Sequence, residues 1–250
     1  MGILSIPIPK ELVRTLRNAK RVVAITGAGI SAESGVPTFR GEDGLWKNYR
    51  AEELATPWAF QRNPELVWQW YDWRREIIAK AEPNPGHHVI VKMEQFYPEF
   101  ALITQNVDGL HRRAGSKNVI EIHGNLWRVR CTEEEKTFYL YDVSLKKIPP
   151  RCSCGALVRP DVVWFGESLD PRLIRWAHAA LTSCDLLFVI GTSGVVQPVA
   201  SFPSIARQSG AKIIEINLDT TPISALANVT LKGKSGEILP ILYENLIRVA

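Results

Sequence analysis

Arg21-Val22-Val23-Ala24-Ile25-Thr26-Gly27-Ala28-Gly29-Ile30-Ser31-Ala32 is the stretch that decides the fold. Its first six residues form a continuous, β-branched apolar run, as expected of a strand buried on both faces of a parallel sheet. The run passes straight into G-x-G-x-x-A, the glycine-rich turn that joins a strand to a helix in dinucleotide-binding folds, with Ala in the third place. Gly27 is expected to permit the tight turn, Gly29 to let the backbone approach a pyrophosphate, and Ala32 to allow close helix–strand packing. The following helix start would offer amide donors to the anion, with Ala28 and Ser31 beside it. A bare tight turn is the competing reading. A dehydrogenase would place an acidic residue ~20 positions further on, after a second strand. Here the chain continues as Gly35-Val36-Pro37-Thr38-Phe39-Arg40-Gly41, which reads as a loop. A nucleotide ligand is therefore expected, without ordinary hydride-transfer geometry.

Working outward, similar apolar runs lie at 101–104, 119–122, 186–190 and 212–216. Helical patterns lie at 9–18, 64–81, 87–97, 171–183, 199–209 and 235–247. This alternation predicts an α/β fold built on a doubly wound parallel sheet. Two stretches break the rhythm and read as insertions forming a smaller lobe. Residues 36–85 are rich in Trp and helix formers, and 127–165 hold three of the four cysteines. The single domain 1–250 thus divides into a Rossmann-like large lobe (1–35, 86–126 and 166–250) and a small lobe (36–85 and 127–165). Ligands in such folds sit beyond the carboxyl ends of the strands, where the small lobe would roof the crevice.

The polar residues at those strand ends carry the chemistry. The second run ends in Gln105-Asn106-Val107-Asp108 and the third in His123-Gly124. Histidine, with an unperturbed pKa near ~6.5, suits a general base; a structural histidine bonded to a backbone carbonyl is the alternative. Later strands end in Gly191-Thr192-Ser193, suited to phosphates, and Asn217-Leu218-Asp219, suited to a ribose.

Together these residues resemble the sirtuins, the NAD-dependent protein lysine deacylases. The matching segments are residues 27–40, 104–108, His123-Gly124, 162–167, 191–193 and Asn217, in the family's order and over nearly the whole chain. The resemblance implies that NAD is consumed as a co-substrate. The acyl oxygen of a modified lysine attacks the ribose carbon that bears nicotinamide, and free lysine and O-acyl-ADP-ribose result. It implies His123 as general base, Asn106 positioning ribose or water, and Asp108 holding the nicotinamide carboxamide. Phe39, Arg40 and Trp46 belong to the cofactor loop side. Gly27, Ala28, Gly29, Ser31, Ala32, Gln105, Gly191, Thr192 and Ser193 would line the cofactor, with Asn217, Leu218 and Asp219 at the adenosine ribose and Ser235 near the adenine. Val163, Trp164 and Phe165 would pair with the substrate peptide as an added strand.

Tyr71 and Arg74 stand at i, i+3 in the 64–81 pattern and share a helix face. A phenol beside a guanidinium suits a carboxylate. This spacing resembles the class III sirtuins, which remove succinyl and malonyl groups, so acidic acyl-lysines are expected as substrates alongside acetyl-lysine. The alternative makes the aromatics core and Arg74 solvated.

Sirtuins carry Cys-x-x-Cys twice around one tetrahedral zinc, in a zinc-ribbon-like module. Here Cys131 is followed by Glu134 where the second thiol would stand, and the second pair is compressed to Cys152-Ser153-Cys154. Cys184 reads as a core thiol. Three readings stay open: zinc held by three thiols with Glu134 as fourth ligand, no tightly held metal, or Cys131 paired with Cys152 or Cys154. His87 and His88 are expected to cap or pack, and the Arg74-Arg75 and Arg112-Arg113 pairs to be solvated faces.

Composition sets the outer bounds. In 250 residues, 46% hydrophobic and 22% charged content excludes a disordered chain, and a net charge of +4 is too mild to indicate nucleic acid. No apolar run approaches the ~20 residues of a membrane span, and residues 1–7 show no secretory pattern, so the cytoplasm is the expected location. The expected partners are acyl-lysine-bearing proteins or peptides. An NAD glycohydrolase or ADP-ribosyltransferase, or a non-catalytic nucleotide-binding module, are the other function classes.

Overall fold

A computed structural model describes residues 8–38 and 49–248. Helix α1 (Lys10–Asn18) leads into β1 (Arg21–Thr26), and the glycine turn enters a short α2 (Ala28–Ala32). Three consecutive helices follow: α3 (Ala51–Leu54), α4 (Pro57–Arg62) and α5 (Pro64–Lys80). Then come α6 (Pro85–Phe96), β2 (Glu99–Thr104), α7 (Leu110–Ala114) and β3 (Val119–Glu121). Strands β4 (Gly124–Cys131), β5 (Thr137–Tyr139) and β6 (Val158–Val162) are followed by α8 (Pro171–Ser183), β7 (Leu186–Ile190) and α9 (Phe202–Gln208). β8 (Lys212–Asn217), β9 (Val229–Lys232) and α10 (Ser235–Ile247) complete the described chain.

The six-stranded sheet runs β3-β2-β1-β7-β8-β9, and every pairing in it is parallel. Counted along the chain this is the 3-2-1-4-5-6 order of a doubly wound dinucleotide-binding sheet. Its direction reverses between β1 and β7, which opens a crevice at their carboxyl ends. Burial on both faces explains the continuous apolar runs: β7 is buried throughout and β1 everywhere except Arg21. One face packs on α1, α6 and α10, through Leu16, Ile90, Phe188 and Leu242 among others. The opposite face packs on α8 and α9, through Ala177, Leu181, Leu187 and Ala206.

A third core joins α3–α5 to a three-stranded antiparallel sheet, β5-β4-β6. Trp68 and Trp70 of α5 are at most 1% exposed there; a buried Trp removes on the order of 200 Å² from water, about 5 kcal/mol of gross transfer energy. Helix α5 starts where the sequence says it should. Asn63 caps it by accepting from Leu66 N at 3.0 Å, and Pro64 occupies the first turn, where no N–H is required.

Several boundaries differ from the sequence expectation for local reasons. The predicted helix 199–209 is a 3-10 turn (Val199–Ser201) followed by α9, because Pro203 has no N–H to return to the Val199 carbonyl. The third strand ends at Glu121, since Ile122 and His123 form a turn. Strands β4, β5, β6 and β9 were not predicted. Arg74 and Arg75 are corrections as well. Neither is solvated: Arg74 is 9% and Arg75 0% exposed. Arg75 lies over the Trp127 ring at 5.2 Å and donates to the Asp142 carbonyl at 2.7 Å and to the Leu140 carbonyl. Among the described residues no helix is long and apolar enough to cross a membrane.

Candidate active site at the carboxyl ends of the parallel strands

The floor of the crevice is an interlock of three glycines. A Cβ on Gly27 would sit 2.8 Å from the Gly191 carbonyl oxygen, and one on Gly29 would sit 2.7 Å from Gly191 Cα. Gly191 itself has φ +59°, the left-handed region glycine occupies without cost. Gly27 is extended (φ −125°) and needs no special dihedral, so close approach, not turn geometry, demands it. Gly29 N donates to Gly191 O at 2.8 Å, so this amide is spent on the neighbouring loop and not on an anion. Ala32 is exposed at the end of α2, and Ile30 is the residue that packs inward. The third small position of the motif therefore does not mediate helix–strand packing here.

Around this floor the polar strand ends converge. Ser31 Oγ donates to Asp108 Oδ2 at 2.8 Å, and Asn106 Nδ2 lies 3.0 Å from both Ser31 Oγ and the Gly27 carbonyl. Asp108 is 4% exposed, and its Oδ1 accepts from Leu110 N at 2.8 Å. Burial pushes its carboxyl above the usual range, while those hydrogen bonds and the Arg74 charge oppose the rise. Gln105 Nε2 donates to Thr192 Oγ1 at 2.8 Å, and Asn217 Nδ2 to the Thr192 carbonyl at 2.7 Å, so three strand ends are tied at Thr192. Leu218 and Asp219 are exposed beyond Asn217. Ser193 is half-buried in the loop after β7. Ser235 is buried and donates to Glu33 Oε1 at 2.8 Å, which also accepts from Gly236 N. Phe39, Arg40 and Trp46 lie outside the described residues.

His123 Nδ1 is 3.1 Å from the Gln105 carbonyl. A carbonyl only accepts, so Nδ1 carries the hydrogen and the neutral ring presents the Nε2 lone pair. Burial holds the imidazole pKa below its ordinary value, the carbonyl contact opposing it, which favours the unprotonated ring. Of the two alternatives the sequence offers for this residue, a base or a carbonyl-bound histidine, the carbonyl contact is present, and it leaves Nε2 without a hydrogen.

Arg74, on α5, lines a pocket together with Ala28, Ser31, Asn106 and Asp108. Its guanidinium sits 5.3 Å from the Trp70 ring and feels the charge of Asp108. Tyr71 is 3% exposed, and its hydroxyl accepts from Trp164 Nε1 at 2.7 Å. Trp164 is itself clamped, with Arg159 over its ring at 3.2 Å and its backbone N–H on Glu167 Oε2 at 2.8 Å. Val163 N donates to the His123 carbonyl and Phe165 N to the Ala55 carbonyl, each at 2.9 Å. All three amides of 163–165 are thus engaged within the chain, so a strand added here would draw on carbonyls.

In the small sheet, one ligand atom each from Cys131, Glu134, Cys152 and Cys154 lies within 4.8 Å of all the others. Cys131 Sγ and Cys154 Sγ are 3.6 Å apart, and Cys152 Sγ is 3.8 Å from Glu134 Oε2. Sulfurs at ~2.3 Å from a tetrahedral zinc stand about 3.8 Å from each other. Three thiols and a carboxylate at these spacings fit zinc. All four cysteines are free thiols. Cys184 is remote and buried, which pushes its thiol up to about 11.

Residues 27–198 match the model of the Sir2 family. The chain belongs to the Sir2 family. A curated Sir2 relative from Aquifex aeolicus (strain VF5), named NAD-dependent protein deacylase, is 55% identical over 226 residues, covering 90% of this chain and 95% of the relative. One of the same name from Pyrococcus furiosus is 50% identical over 246 residues, covering 96% and 98%. A solved Sir2 homolog–NAD complex superposes with TM-score 0.92 at 48% identity, covering 96% of this chain and 94% of that one. A solved Sir2–p53 peptide–NAD+ complex gives 0.85 at 35% identity, covering 94% and 97%.

Proposed function

We propose that this Sir2-family chain is an NAD-dependent protein lysine deacylase whose acyl pocket reads a carboxylate on the acyl group, taking succinyl- and malonyl-lysine as well as acetyl-lysine. The deacylase reading is supported by the family, by relatives at about half identity, and by the convergence of His123, Asn106 and Asp108 on the crevice between β1 and β7. The acyl reading is carried by one observation: Arg74 is buried, charged and lines the pocket that also holds Asn106 and Asp108. A guanidinium in that position offers a fork of donors to a carboxylate where little water competes.

NAD, when bound, would supply the electrophilic ribose carbon for the acyl oxygen and nicotinamide as the leaving group. The chain's residues do the rest. Asp108, held by Ser31 Oγ and Leu110 N, presents a fixed polar edge for a carboxamide. Asn106, held by Gly27 O and Ser31 Oγ, keeps its place beside the reacting centre, and enclosure by the small lobe excludes water from it. His123 takes a proton at Nε2 from a ribose hydroxyl. Thr192, Ser193 and Asn217 would hold the phosphates and the second ribose. Cys131, Glu134, Cys152 and Cys154 would hold a zinc whose contribution is structural, fastening the turn 152–155 to the end of β4.

The test is a panel of one peptide carrying acetyl-, succinyl- or malonyl-lysine, read as NAD-dependent release of free lysine and O-acyl-ADP-ribose. Turnover of all three, with the acidic acyl groups at least equal to acetyl, is expected. Nicotinamide release without O-acyl-ADP-ribose would instead identify a glycohydrolase or ADP-ribosyltransferase.

A further inference from the structure

Behind the crevice lies a histidine pair that the chemistry above does not use. His87, in the first turn of α6, and His111, in α7, are 0% and 2% exposed, with ring centroids 4.8 Å apart. Each has one satisfied ring nitrogen. His87 Nδ1 accepts from Asn84 N at 3.3 Å, and His111 Nε2 lies 2.9 Å from Thr26 Oγ1. The other two, His87 Nε2 and His111 Nδ1, have no hydrogen-bond partner among the described residues.

The protons can be placed from these contacts. His87 Nδ1 accepts, so a neutral His87 carries its hydrogen on Nε2. Thr26 Oγ1 donates to Thr104 Oγ1 at 2.9 Å. Its hydroxyl hydrogen being used there, it accepts from His111 Nε2–H, which leaves His111 Nδ1 bare. The two orphaned nitrogens are therefore a donor and an acceptor on adjoining rings. Burial holds both imidazoles neutral, with His87 pushed down to about 4 and His111 well below its ordinary value.

The pair lies where two hydrogen-bonded chains meet. Thr104 Oγ1 accepts from Asn106 N at 3.1 Å, and Asn106 Nδ2 donates to Ser31 Oγ and the Gly27 carbonyl. At the other end Asn84 Nδ2 donates to the Ile30 carbonyl at 2.7 Å and to Ser34 Oγ at 2.9 Å. One polar chain thus runs from Ile30 and Ser34 through Asn84 to His87, and another from His111 through Thr26, Thr104 and Asn106 to Ser31; the two meet at the contact between the imidazole rings. Thr26 and Thr104 are register partners at the last position of β1 and β2, so the second chain also fixes the two strand ends against each other.

We propose that His87 and His111 are positioning residues for Asn106: a tautomer-locked neutral imidazole pair packed behind residues 27–31, with His111 joined to Asn106 through Thr26 and Thr104. This rests on the deacylase reading, in which Asn106 stands at the reacting centre. Misplacement of such a group by ~1 Å costs on the order of 100-fold in rate, so His111→Leu, which leaves Thr26 without its donor, is expected to lower kcat by 10- to 100-fold. His111→Gln returns an amide donor near the Nε2 position and is expected to recover most of the loss. Leu16→Ala, a cavity in the core of α1 away from the histidine pair, serves as the control that loses stability and keeps its kcat. Unchanged kcat in His111→Leu, or equal losses in the Leu and Gln variants, would overturn the proposal. If the Leu variant does not fold, long-range proton–nitrogen correlation spectra of the wild-type chain decide: both buried rings must be neutral and protonated at Nε2 at pH 7, and a charged or Nδ1-protonated ring overturns it. An inactive wild type would instead sink the deacylase reading and leave the tautomer result standing.

Discussion

Replacing Arg74 with Met separates acyl recognition from everything else the residue touches. Met keeps most of the stem volume and the apolar contact with Trp70, and removes the charge. Arg74 is 9% exposed, so an acyl carboxylate docked on it would have little water to fall back on. A hydrogen bond to a charged group is worth about 1.5–3 kcal/mol, and one decade in rate is about 1.36 kcal/mol. The ratio of kcat/KM for succinyl- over acetyl-peptide should therefore fall by about 10- to 150-fold. The guanidinium also helps keep Asp108 ionised. Its loss pushes the Asp108 carboxyl further up and weakens the NAD end for every substrate. That second effect is common to both peptides and cancels in the ratio, which is why the ratio, at saturating NAD, is the quantity to measure. A ratio that stays within twofold of wild type refutes the acyl reading and leaves Arg74 as the counter-charge of Asp108 alone.

Three further outcomes follow from the site. His123→Ala should abolish deacylation while calorimetry still detects NAD binding, and in the wild type the acid limb of kcat/KM should fall below pH 6.5, because burial lowers the imidazole pKa; turnover surviving in the variant removes His123 as the base. Gly29→Ala drives a Cβ into the backbone of Gly191, a contact no rotamer relieves; overpacking of about 1–3 kcal/mol lowers Tm by roughly 2–12 °C and weakens NAD binding, and an unchanged melting curve would contradict the interlock. Elemental analysis should find one zinc per chain, held less firmly in Glu134→Gln than in wild type and more firmly in Glu134→Cys; equal retention in all three excludes the carboxylate as a ligand.

The parallel sheet was legible because strands buried on both faces must be continuous apolar runs, and the site was legible because polar residues at the ends of such runs have nowhere to point except the crevice. The small sheet was not. β4 mixes Arg128 and Arg130 with its buried positions, and the charges that disguise it find their partners in Asp161 and Glu167, far along the chain. Arg75 looked solvated because what buries it, the Leu140 and Asp142 carbonyls and the Trp127 ring, lies more than fifty residues away. The glycine turn shows a subtler gap. The backbone its glycines approach belongs to Gly191, and no local pattern announces which loop will be pressed against it. His87 and His111 fall in the same class: nothing local announces that the fold sets their rings side by side.

The hydrogen bond from Trp164 to Tyr71 has a bearing on how this enzyme can be changed. It joins the helix that carries Arg74 to the segment expected to meet the substrate backbone, so preference for the acyl group and tolerance for the surrounding peptide share one mechanical support. Substitutions made to retune one will disturb the other, and their combined effects will not add. Re-engineering the specificity of this chain is consequently a search over pairs of positions on α5 and 163–165, and libraries that vary one element at a time will under-sample the variants that work.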